Sequence, residues 1–293
     1  MTTLRITNPA DGSALAEVAS DDAASVAAKF DRARRAQPSW AATPLVERIV
    51  AMRGFRAAVE RELDTLARTL TQEVGKPLQQ SKNELNGFLG RIDFFLAAVE
   101  KTVAPETVLA DGAMTERIDH DPLGVVANVS AWNYPYFVGG NVFVPALLTG
   151  NAVLYKPSEF ATLTGQHIER LLHGAGIPRD VFITVVGAGD VGAALLEQPV
   201  DGVFFTGSVA TGAKIAAQMG ARMVRLQLEL GGKDPTYVAE DVDAKTAAES
   251  LADGAMYNTG QSCCSVERIY VHERIHDEFV RHFVATVAAF KIG

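Results

Sequence analysis

The stretch Pro122-Leu123-Gly124-Val125-Val126-Ala127-Asn128-Val129-Ser130-Ala131-Trp132-Asn133-Tyr134-Pro135 decides the fold. A short β-branched run ends in a polar turn and a proline, and an apolar, helix-like segment follows to Leu148. No charged side chain occurs from Pro122 to Tyr155, so the region can be mistaken for a membrane span. Pro135, Pro145, Asn128, Asn133, Asn141 and Asn151 are costly in lipid but ordinary in a buried parallel strand followed by a packed helix. The same texture repeats downstream. Strands are predicted at 125–129, 152–155, 181–186, 203–205 and 224–230, with helices at 137–148, 162–173, 191–197 and 211–219. This alternation signals an α/β protein with a doubly wound parallel sheet, whose ligand crevice lies at the carboxyl ends of its strands.

Upstream, apolar residues recur at helical spacing in three runs, 23–37, 45–73 and 79–101. Pro38 with Pro44 is expected to part the first two, and Gly75-Lys76-Pro77 the last two. The polar alternation Thr115-Glu116-Arg117-Ile118-Asp119-His120 predicts an exposed strand, half of an oligomerisation hairpin near 105–121. A second unit is expected after Gly231, with a strand at 236–239, a helix at 244–257, a turn bearing Cys263, a strand ending at Val271 and a helix at 275–290. The domains are therefore read as 1–231 and 232–293. Two short strands and two helices are too little to close a core, so the second domain is expected to be truncated.

The net charge of −8 disfavours nucleic acid and anionic membranes as partners, since no basic stripe offsets it. The two cysteines, Cys263 and Cys264, are adjacent, which leaves no disulfide framework and points to a reducing, cytoplasmic setting. The N-terminus lacks the apolar core of a secretory signal. The six histidines show no metal-binding spacing, so no metal is expected.

Chemistry concentrates at the predicted strand ends. Asn258-Thr259-Gly260-Gln261-Ser262-Cys263 sets a thiol just past a glycine turn, where it can attack an electrophile. Glu229, in Leu228-Glu229-Leu230-Gly231-Gly232, ends an apolar strand, where burial would raise its pKa toward that of a useful base. Asn133 can offer its amide to a developing oxyanion, with the Cys263 N–H as second donor, or can simply cap a helix. Gly207, Ser208 and Gly212, in Thr206-Gly207-Ser208-Val209-Ala210-Thr211-Gly212, suit a phosphate at a helix start, although such serines also serve as plain caps. Gly187-Ala188-Gly189-Asp190-Val191-Gly192 is a formal GxGxxG but lacks the acid about twenty residues on, so Gly187 is expected to line the crevice near the adenine. In Lys156-Pro157-Ser158-Glu159 the lysine and glutamate can hold two ribose hydroxyls. The carboxylate there would repel an extra 2′-phosphate, which favours NAD over NADP.

Together these segments resemble the NAD(P)-dependent aldehyde dehydrogenase superfamily. The likeness runs from Asn8-Pro9-Ala10-Asp11-Gly12 through Gly75-Lys76-Pro77-Leu78, Trp132-Asn133-Tyr134-Pro135, Lys156-Pro157-Ser158-Glu159, Phe205-Thr206-Gly207-Ser208 and Glu229-Leu230-Gly231-Gly232-Lys233 to Gly260-Gln261-Ser262-Cys263. It implies a Rossmann-like NAD-binding domain, Cys263 as nucleophile, Glu229 as general base and Asn133 in the oxyanion hole. Trp132, Lys156, Ser158, Glu159, Ser208 and Leu230 would surround NAD, Cys264 would be a bystander, and the longer form would be a homo-oligomer. Many members carry a lysine where Val142 stands, and members continue beyond Gly293 with a Glu-x-Phe-Gly-Pro segment. The expected activity is oxidation of an aldehyde to a carboxylic acid through a cysteine thiohemiacetal and thioester. Two other readings are a non-catalytic nucleotide-binding fragment and a cofactor-independent thiol esterase.

Overall fold

The computed structural model describes residues 2–292. The chain divides into two compact units, Met1–Glu229 and Leu230–Gly293.

The first unit opens with an antiparallel hairpin that the sequence reading did not include, β1 (Thr3–Thr7) and β2 (Ala14–Ala19). Helices α1 (Ala23–Ala42), α2 (Leu45–Arg61), α3 (Leu63–Val74) and α4 (Leu78–Thr102) follow. Two expectations are corrected here. Pro38 does not end a helix but lies inside α1, so Pro44 alone parts α1 from α2. The run 45–73 is two helices that break at Glu62. Arg61 closes α2 while Glu62 and Asp64 open α3, a reversal of charge that suits the end of one helix dipole and the start of the next. The strands β3 (Glu106–Ala110) and β4 (Thr115–Ile118) pair as an exposed antiparallel hairpin.

The doubly wound sheet then begins. Its elements run β5 (Val125–Val129), α5 (Pro135–Leu148), β6 (Ala152–Lys156), α6 (Thr162–Gly174), β7 (Phe182–Thr184), α7 (Gly189–Glu197), β8 (Gly202–Gly207), α8 (Val209–Gly220) and β9 (Arg225–Leu230). The strand order is β7-β6-β5-β8-β9, with β5 parallel to both β6 and β8. Helices α5 and α6 cover one face, backed by α2, α3 and α4, while α1 and α7 pack against the sheet as the other layer. Sequence order reverses between β5 and β8, which makes the gap between their carboxyl ends the switch point where ligands bind in such sheets.

The core between sheet and helices is aromatic. Phe55, Phe88, Phe143, Tyr136, Tyr155 and Phe182 are fully buried and meet edge-on or tilted at 5.5–6.1 Å. Gly139 and Gly140 let α5 press into this cluster. A Cβ at Gly140 would lie 2.2 Å from Phe88, and one at Gly139 2.9 Å from the Tyr155 hydroxyl. Among the described residues no helix is long and apolar enough to cross a membrane.

The second unit pairs β10 (Asp234–Val238) in parallel with β11 (Val266–Val271), joined through α9 (Ala244–Met256) and followed by α10 (His276–Ala288). Val238, Ala244, Ala248 and Phe279 form its small core.

Candidate functional site

The parallel strands β5, β6, β7 and β8 deliver most candidate residues to one end of the sheet. Asn133 and Trp132 follow β5, Lys156 ends β6, and Ser158 and Glu159 lie just beyond it. Gly187 follows β7, Gly207 ends β8, Ser208 opens α8, and Glu229 lies at the end of β9. The register fixes these loops side by side, with Val129 opposite both Lys156 and Phe205 and Tyr155 opposite Thr184. Braces from the N-terminal region hold the β7 end. Asp21 accepts from the Val186 N–H at 2.7 Å and pairs with Lys29 at 2.5 Å, and Lys29 also donates to the Thr184 carbonyl at 2.8 Å.

Lys156 is the most telling of these side chains. It is 4% exposed, and its ammonium donates to the Pro157 carbonyl at 3.2 Å. Burial holds its pKa below the ordinary lysine value, against the attraction of Glu159 and Asp190. A Cβ at Gly192 would lie 3.4 Å from Lys156 Cε, an ordinary contact distance, so the last glycine of the discounted GxGxxG packs beside the lysine stem without being required by it. Sequence reading missed the attraction of Asp190, on the facing helix, for this lysine. Gly187 has φ +158°, and a Cβ there would lie 2.3 Å from Val191, so a side chain would block the first turn of α7.

The capping role weighed for Ser208 is present, and Ser158 also caps a short turn. Ser208 Oγ accepts from Thr211 N at 3.2 Å as the N-cap of α8, while the buried Gly212 donates its N–H to the Ser208 carbonyl at 2.9 Å. Ser158 accepts from Phe160 N at 3.3 Å and donates to Glu159 at 3.4 Å. Asn133 Oδ1 accepts from Tyr134 N at 3.1 Å, which fixes the amide plane. Trp132 packs half-buried against the aromatic core. Val142 lines a separate cavity of about 590 Å³ whose walls include Pro122, Leu123 and Asn151, at the starts of β5 and β6.

The burial expected of Glu229 is not found. It lies on the edge strand β9, whose side chains alternate between exposed and half-buried, and its carboxylate is exposed and accepts from Gln227 Nε2 at 3.1 Å. Within the second unit Cys263 is exposed, as is Cys264, and Leu230 is half-buried. Partial desolvation and then the neighbouring Cys264 push the Cys263 thiol above its usual pKa. The turn leading to it is strained. Asn258 and Thr259 both sit at φ 56° and Gly260 at φ 73°, three left-handed residues in succession. Asn258 Nδ2 holds the Gln261 carbonyl at 2.9 Å, and Gln261 Nε2 returns to the Asn258 carbonyl at 3.1 Å. A Cβ at Gly232 would lie 2.5 Å from the Cys263 carbonyl oxygen, so Gly232 gives the cysteine turn room to pack.

The aldehyde dehydrogenase family profile matches residues 1–293. A 3,6-anhydro-alpha-L-galactose dehydrogenase of Streptomyces coelicolor is 37% identical over 98% of this chain. The chain belongs to the aldehyde dehydrogenase family. Among solved structures, PnpE in complex with nicotinamide adenine dinucleotide superposes with a TM-score of 0.95 at 30% identity, over 100% of this chain and 60% of that one. A 3,6-anhydro-L-galactose dehydrogenase in complex with NAP gives 0.94 at 32%, over 100% of this chain and 62% of that one. The chain spans 58% of the Streptomyces relative's length. The family uses NAD or NADP.

Proposed function

We propose that this chain is the nucleotide-binding and nucleophile-bearing part of an enzyme that oxidises an aldehyde to a carboxylic acid with NAD. The observation that carries the reading is the adjacency of Asn133, Lys156 and Ser208 at the carboxyl ends of three neighbouring parallel strands, around the switch point. The residues present suit a dinucleotide. A buried ammonium with a single carbonyl acceptor has donors to spare for ribose hydroxyls, and Gly207 with the α8 start suits a pyrophosphate. Glu159 beside Lys156 favours NAD, since a carboxylate at the 2′ position repels the phosphate of NADP.

In this reading Trp132, Lys156, Ser158, Glu159, Gly187, Gly207, Ser208, Gly212 and Leu230 seat the nucleotide, and Cys263, Glu229 and Asn133 carry the chemistry. Cys263, as thiolate, adds to the aldehyde carbon, and the Asn133 amide with the Cys263 N–H receives the charge that develops on oxygen. The nicotinamide, when bound, accepts the hydride that leaves this carbon, so Cys263 is left carrying a thioester. Glu229 takes a proton from water, which attacks the thioester carbonyl and releases the acid and the Cys263 thiol. The exposed position of Glu229 suits contact with water. The assembly is read as a homo-oligomer through the β3–β4 hairpin, with residues 1–231 as the nucleotide domain, in a reducing cytoplasm.

The test is reduced-nicotinamide formation at 340 nm with a panel of aldehydes, for the chain and its variants. Cys263→Ala should abolish turnover and Cys264→Ala should retain it. Turnover surviving in Cys263→Ala refutes the assignment. Nucleotide binding by calorimetry without turnover of any aldehyde would favour the binding-fragment reading instead.

A further inference from the structure

The loop that carries Asn133 is gripped from outside the sheet by a buried ion pair. Lys76, in the turn before α4, and Glu84, on α4, have side chains 0% and 1% exposed and meet at 2.6 Å. Each has a second task. The Lys76 ammonium donates to the backbone carbonyl of Asn133 at 2.5 Å and lies 4.3 Å from the centre of the Tyr134 ring. The other oxygen of Glu84 accepts the N–H groups of Tyr136 at 2.9 Å and Phe137 at 3.3 Å. Those are unpaired donors at the start of α5, whose own N-cap residue, Tyr134, makes no side-chain cap. One ion pair therefore ties together the carbonyl before the bend and the amides after it, across residues 133–137.

Stability alone is a poor account of this pair. Burial raises the pKa of Glu84 and lowers that of Lys76, the mark of two charges taken out of water. Apolar residues of like volume commonly hold two helices together as well as a buried pair does. What they cannot supply is direction: a donor fixed on one carbonyl and an acceptor fixed on two amides. We propose that Lys76 and Glu84 are positioning residues that set the Asn133 amide for the oxyanion, an inference that rests on the role given to Asn133 above.

The test uses the full chain with Trp40→Phe, which leaves Trp132, next to Asn133, as the sole tryptophan. Lys76→Met/Glu84→Gln removes the grip on the Asn133 carbonyl while the Gln oxygen still caps α5. The expected result is a thermal midpoint within about 5 °C of the parent and acrylamide quenching of Trp132 raised at least about twofold. In aldehyde turnover kcat should fall about tenfold or more with KM nearly unchanged, and adding Asn133→Ala should cost nothing further. If the double variant does not fold, Lys76→Leu/Glu84→Gln, which likewise offers no donor to the Asn133 carbonyl, is held to the same quenching criterion. Unchanged Trp132 quenching in a folded variant overturns the proposal whatever the turnover. Altered quenching together with full turnover by Asn133→Ala sinks the oxyanion role while leaving the grip on the loop established.

Discussion

Replacing Glu73 by glutamine should remove a large pH dependence from the stability of the first unit. Glu73 sits in the last turn of α3, 4% exposed, and faces the start of α6. One oxygen accepts Leu163 N at 2.6 Å, and the other accepts Thr164 N at 2.8 Å and Thr164 Oγ1 at 2.7 Å. Burial outweighs these donors and pushes its pKa up to about 7. The folded state therefore binds this proton more tightly than the unfolded chain, whose carboxyl titrates near 4.3, so the stabilisation is complete below about pH 4 and is lost as pH rises through 7. Integrating between those values gives a loss of about 2.5 kcal/mol from pH 5 to pH 8. Urea unfolding of parent and Glu73→Gln at both pH values isolates the group, because every other titration is common to the two proteins. Relative to the parent, the variant should gain about 2.5 kcal/mol on going from pH 5 to pH 8. Parallel pH profiles, agreeing within about 0.5 kcal/mol, would refute the argument that desolvation beats three hydrogen bonds at this site.

Gly140→Ala should destabilise the first unit by roughly 1–3 kcal/mol, since the new methyl meets Phe88 inside a filled aromatic cluster. Gly90→Ala, on an open stretch of α4, should instead gain about 0.5–1 kcal/mol, and equal melting shifts for the two would be inconsistent with the packing described. Lys156→Met should leave unfolding stability unchanged or higher, because a buried charge is removed, yet weaken NAD binding by at least about tenfold in calorimetry. Retained affinity would take the lysine out of the nucleotide site. In a Cys264→Ser background without nucleotide, alkylation of Cys263 by iodoacetamide should rise at least about thirtyfold between pH 7 and pH 10, as expected for a thiol whose pKa lies above the usual 8.5. A rate already flat by pH 7.5 would contradict the raised value.

Most of the sheet was legible because a strand buried on both faces writes itself as a run of apolar residues. Val125–Val129 coincides with β5, and the other strands and helices of the sheet region fall within a few residues of their expected places. The helical region was less legible at its joints. Pro38 in α1 and the break at Glu62 depend on what packs beside them, which spacing alone does not encode. The β1–β2 hairpin went unread although Thr3-Leu4-Arg5-Ile6-Thr7 alternates polar and apolar, because so short a run, followed by the mostly exposed or half-buried β2, carries a weak signal. At the site, motif residues were found by their types, but Glu84 was not, since one glutamate in a long amphipathic helix reads as surface. Its spacing nonetheless carried a usable signal. Ser81, Glu84, Leu85, Phe88 and Ile92 share the buried stripe of α4, and a carboxylate on such a stripe must have a partner.

The site residues differ in how far structure alone accounts for them. Ser208 caps α8, Ser158 caps a short turn, and Asn133 holds the amide of its neighbour, so each would have a place even in a protein with no ligand. For these residues the structural and functional roles coincide, and a substitution costs both at once. Lys156 is different. Its charge is buried at a cost, and its carbonyl contact at 3.2 Å offsets little of that cost. An arrangement that lowers stability and leaves donors aimed at a strand end has a physical reason only when something polar occupies the crevice. Of the proposed nucleotide-binding residues, Lys156 is therefore the one whose place depends most on the proposal, since folding by itself favours an apolar side chain there.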